Sequence, residues 1–148
     1  MSHRYILELQ EKIIDALENL EEELPRLGVI HTQEELQTLV EKVEQLRAVL
    51  DEVKKYFIEV RSKLTDVRGI PPAKELAQIV IGTVTEALSA IRETLLHLEE
   101  YKVALRGKRR KPKTLEELHY ADSSAKEAVR ATRQIMKRIE EHTEELKE

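Results

Sequence analysis

Residues 32–67 read TQEELQTLVEKVEQLRAVLDEVKKYFIEVRSKLTDV, and their apolar positions decide the fold. Leu36, Leu39, Val43, Leu46, Leu50, Val53, Phe57, Val60, Leu64 and Val67 recur at alternating steps of three and four. A helix gathers such positions on one stripe, whereas a strand needs alternation with a period of two. The heptads run without a break, so the segment predicts one long helix that buries one face and wets the other. Its start is legible too. Thr32-Gln33-Glu34-Glu35 fits a capping box, in which the Thr hydroxyl accepts the amide three residues on and the Glu carboxylate reaches back.

Three breaker clusters delimit the rest: Pro25-Arg26-Leu27-Gly28, Arg68-Gly69-Ile70-Pro71-Pro72, and Arg106-Gly107 through Pro112-Lys113. Proline lacks an amide donor and clashes with the preceding turn, and glycine favours the left-handed cap that closes a helix. The segments between them predict helices over about 3–24, 32–67, 71–105 and 114–147. The third opens on Pro71-Pro72, where a missing donor costs nothing, and the fourth on a second capping box, Thr114-Leu115-Glu116-Glu117. Each carries its own stripe: Ile6, Leu9, Ile13, Leu17 in the first; Ala77, Val80, Val84, Ala87, Ile91 in the third; Leu118, Ala121, Ala125, Ala128, Thr132, Ile135 in the fourth. Four amphipathic helices joined by short turns make antiparallel neighbours, so the expectation is a single all-α domain over 1–148, an up-down-up-down four-helix bundle with a short first helix.

Composition agrees. The 148 residues contain 4 Gly, 4 Pro, 1 Phe, no Trp and no Cys, which argues against a sandwich or barrel and excludes disulfides and cysteine chemistry. The formal net charge of −4 gives no global basicity to call for nucleic acid. No apolar run approaches the roughly 20 residues that span a bilayer, and MSHRYILELQEK lacks the apolar stretch of a signal peptide. The expectation is a soluble protein, cytoplasmic or recombinant. No G-x-S-x-G, phosphate-binding glycine loop or H-E-x-x-H occurs, so no enzyme is expected, and no cofactor is required.

Regular heptads, paired capping boxes, Glu/Lys-rich outer faces and the ending Glu144-Glu145-Leu146-Lys147-Glu148 resemble de novo designed, idealised helical bundles. The resemblance spans the whole chain and implies a stable scaffold or protein-interaction module, without assigning functional residues. Three features are unlike an idealised bundle. Gly82 lies inside a helix, Asp122-Ser123-Ser124 is weakly helical, and the last loop is strongly basic.

Three places are candidates for recognition. In the first, small residues line facing sides of the third and fourth helices. Folding them back through the 107–113 loop sets Thr94 near Ala125 and His97 at the height of Asp122, with Tyr101 one turn on. Such a seam is either close packing or a pocket, in which Thr94, His97, Tyr101, Asp122 and Ala125 would hold a small molecule or offer an imidazole to a haem-like cofactor. The single Glu116-x-x-His119 spacing falls short of the paired motifs of di-iron bundles, so no metal site is expected.

The second place is the short first helix, which leaves part of the bundle with three helices. Phe57, Val60, Leu64, Val84, Ile135, Met136 and Ile139 would then line an apolar groove for a partner helix or a second copy, unless the first helix slides down to cover them. The third is the basic loop. Arg106, Lys108, Arg109, Arg110, Lys111 and Lys113 put six cations in eight residues. They suit either solubility or a polyanion such as phosphate, nucleic acid or anionic lipid.

Overall fold

The computed structural model describes residues 3–29, 32–64, 71–106 and 112–147, with side chains over 4–27, 32–63, 74–106 and 116–141. Four helices carry the chain: α1 (His3–Glu23), α2 (Gln33–Leu64), α3 (Pro71–Arg106) and α4 (Pro112–Lys147). A six-residue 3-10 helix, Leu24–Val29, follows α1. The helices pack in a ring, α1 on α2, α2 on α3, α3 on α4 and α4 back on α1, with no pairing across the diagonals among the described residues. This is the expected antiparallel four-helix bundle, first helix shortest. No helix among the described residues is long and apolar enough to cross a membrane.

The stripes read from the sequence are the core. Leu36, Leu39, Val43, Leu46, Leu50, Val53, Phe57 and Val60 of α2 are all buried, and one cluster joins them to the stripes of the other helices. The α3–α4 pair is the most extensive in the ring and α1–α4 the least. Alanine explains the first. Ala87 and Ala90 on α3 and Ala121, Ala128 and Ala131 on α4 are buried, and short side chains let two backbones approach closely.

Helix starts were half legible. At α2 the capping hydroxyl works as expected: the Glu35 amide donates to Thr32 Oγ1 at 3.1 Å. The Glu35 carboxylate accepts from the same hydroxyl at 3.0 Å, instead of reaching the Thr32 amide. The second box does not stand at a helix start. Helix α4 begins at Pro112, two residues before Thr114, because a proline in the first turn has the right φ and lacks only an amide that would be orphaned anyway.

The expected open groove is also corrected. Phe57, Val60, Val84, Ile135 and Ile139 are buried and Met136 is half-buried, while the Leu64 side chain lies outside the described residues. Helix α1 has slid toward the α2–α3 turn. The Tyr5 ring sits 5.3 Å from Tyr56, which meets Phe57 edge-on at 5.0 Å. Lys12–Glu52 at 3.2 Å and Glu23–Lys42 at 2.9 Å continue the same antiparallel register. At the other end the 3-10 helix extends the first strut, with Leu27 buried. Each core side chain left wet would cost about 1.5–3 kcal/mol, so sliding one helix is the cheaper solution.

Candidate functional site

Helices α3 and α4 bring one polar cluster together at the edge of their seam. His97 Nδ1 lies 2.7 Å from Glu117 Oε2, and its Nε2 lies 3.6 Å from Glu93 Oε2, one turn earlier on α3. The Tyr120 ring leans over the imidazole with centroids 5.2 Å apart, and Tyr120 donates to Glu116 at 3.3 Å. His97 and Glu117 are both mostly buried, their side chains 21% and 14% exposed. The imidazole is thus hydrogen-bonded through Nδ1 to the facing helix, with the Glu93 carboxylate near its other nitrogen. Among the described residues, no group of three or more His, Asp or Glu could hold a metal ion.

The five residues expected to form a pocket are not brought together. Thr94 and Ala125 lie in the packed seam, and the Thr94 hydroxyl donates to its own helix at the Ala90 carbonyl, 2.8 Å away. Tyr101 is buried, and its hydroxyl is pushed above the usual phenol range by that burial and then by the Glu35 carboxylate of α2. Asp122 pairs with Lys126 at 2.8 Å, not with His97. Height alone does not choose a partner. Five residues of helix turn a side chain by about 140°, so Glu117 faces α3 while Asp122 faces α1. His97, offered as an imidazole for a haem-like cofactor, has its Nδ1 against Glu117 and its Nε2 toward Glu93.

Of the basic loop, Arg106 is exposed in the last turn of α3. Lys108, Arg109, Arg110 and Lys111 lie outside the described residues, as does the side chain of Lys113.

A feature that the stripes do not reveal is the seam between α1 and α4, where two clefts open end to end. The upper, about 590 Å³, lies where the 3-10 helix crosses α4, with Leu24, Leu27 and Leu118 below and His119, Asp122 and Lys126 at the rim. The lower, about 390 Å³, has Ile14, Leu17 and Met136 between a wall of Glu18 and Glu21 on α1 and one of Arg133, Lys137 and Glu140 on α4. Glu21 lines both clefts and is ion-paired with Arg133 across the seam. Two signals in the sequence point here. Leu7 and Ile14 stand outside the α1 stripe one heptad apart, both exposed, and α1 carries seven acidic against two basic residues.

Comparison with family models, with curated proteins and with solved structures finds no match to this chain.

Proposed function

We propose that this chain is a non-catalytic helical-bundle scaffold of the designed kind, a frame whose outer faces are available for protein interaction. The observation that carries this reading is the separation of frame from surface. Among the described residues the core is apolar apart from the phenols Tyr56 and Tyr101 and two threonines, Thr94 and Thr132, whose hydroxyls donate to carbonyls of their own helices at 2.8 and 2.7 Å. The two threonine hydroxyls are therefore spent within the frame, and recognition falls to exposed side chains. The test is wholesale replacement of exposed positions. Leu7, Ile14, Glu18 and Lys137 changed together to Gln should leave helicity and melting temperature within a few degrees. A variant that unfolds would show that these positions belong to the frame.

A ligand-binding bundle is the second reading, favoured by the cleft of about 590 Å³ beneath the 3-10 helix, a volume within the range of small-molecule sites. A stoichiometric, saturable rise in melting temperature with a small apolar compound, lost in Leu118→Glu, is the outcome that would select it.

A further inference from the structure

The α1–α4 seam sets exposed apolar side chains beside charges that the described residues leave unpaired. Leu7 and Ile14 are 46% and 41% exposed, and Met136 is half-buried beside Ile14. Glu18 on the α1 wall and Lys137 and Glu140 on the α4 wall have no ion-pair partner among the described residues, although all three line the same cleft. The remaining pair at this level, Glu21 and Arg133, already spans the seam within the chain.

We propose that the α1–α4 seam is a docking surface for a second copy of this chain, related by a two-fold axis running along the seam. This rests on the interaction-scaffold reading and names its partner. Two orientations of a two-fold axis in the contact plane lay this face on itself with the helix axes of the two copies parallel. An axis across the helices would lay α1 on α1, setting Glu18 against Glu18 and the seven acidic residues of one α1 against those of the other. An axis along the seam lays α1 of each protomer over α4 of its partner and preserves every height. Because Glu18, Lys137 and Glu140 line one cleft, each Glu18 then meets a partner wall of Arg133, Lys137 and Glu140 that is net positive, twice by symmetry. Ile14 enters the opposing cleft beside Met136, and Leu7, one heptad earlier on α1, continues the exposed apolar strip. Helix α1, 21 residues long, provides a contact of about 30 Å. A surface of that length buries on the order of 1,000 Å², the size of a weak, reversible interface.

The test is sedimentation equilibrium from micromolar to near-millimolar concentration, with circular dichroism on the same samples. The mass should rise above 17.2 kDa toward twice that value, and half-molar salt should suppress the rise. Glu18→Lys alone or Lys137→Glu alone should weaken association by about tenfold or more, since each reversal places two like-charged pairs in contact. The double reversal should restore it, and Leu96→Glu on the outer face of α3 should leave it unchanged. A strict monomer over this range overturns the proposal. So does a dimer indifferent to both reversals, or one that the double reversal fails to restore. A folded monomer leaves the scaffold reading standing, because that reading is judged by melting temperature and not by mass.

Discussion

The imidazole of His97 and the carboxylate of Glu117 meet at 2.7 Å across the α3–α4 seam, 20 residues apart in the chain. The same Glu117 is the residue that, read from the sequence, should cap the start of α4. Starting the helix at Pro112 moves it out of capping position and frees its carboxylate for the neighbouring helix.

That contact should be measurable as coupling. Both groups are mostly shielded from water, so a double-mutant cycle of His97→Ala and Glu117→Gln in urea unfolding should give about 1 kcal/mol. Additive losses, with coupling inside the measurement error, would show that the pair contributes no stability.

Gly82 lies exposed inside α3, and a Cβ built there meets nothing within 4 Å. Glycine in a helix interior costs about 1 kcal/mol relative to alanine, through backbone entropy. Gly82→Ala should therefore stabilise the bundle by about that amount and raise its melting temperature. A destabilised variant would mean that another backbone approaches this face.

The alanine seam should resist growth and tolerate the loss of its hydroxyls. Ala125 is 1% exposed, so Ala125→Leu should cost about 1–3 kcal/mol or more by forcing α3 and α4 apart. Thr132 bonds only its own helix, so Thr132→Val, with the same shape, should change stability by less than about 1 kcal/mol. Chemical denaturation of the two variants checks both statements, and a stable Ala125→Leu would reveal space in the seam.

Alkaline titration should expose the two buried phenols. Burial raises Tyr56, with Tyr5 adding to it, and burial followed by Glu35 raises Tyr101. The unfolded chain ionises these groups near the ordinary value of 10.0, below the folded protein, so the native state binds the proton more tightly. The stability they contribute is present below that value and declines as pH climbs through the folded values. Tyr56→Phe should flatten this decline. An unfolding free energy as steep in the variant as in the parent chain would remove Tyr56 from the account.

The periodicity of residues 32–67 and its counterparts in the other helices determined the helix count, the antiparallel order and nearly every core residue. Heptad spacing and turn residues are local properties that a bundle converts directly into faces and neighbours. Only the tertiary structure decided how far each helix slides and which way each side chain turns. The level of Tyr5 against Tyr56 closed the expected groove, because burial of Phe57 and Ile135 outweighs any preference for aligned helix ends. The azimuth of α4 gave His97 to Glu117 and turned Asp122 toward α1, since five residues separate them by about 140° around the axis. The α1–α4 clefts belong to the same class. They arise where the shortest helix makes the loosest pairing in the ring, a relation between helices that no single stripe records.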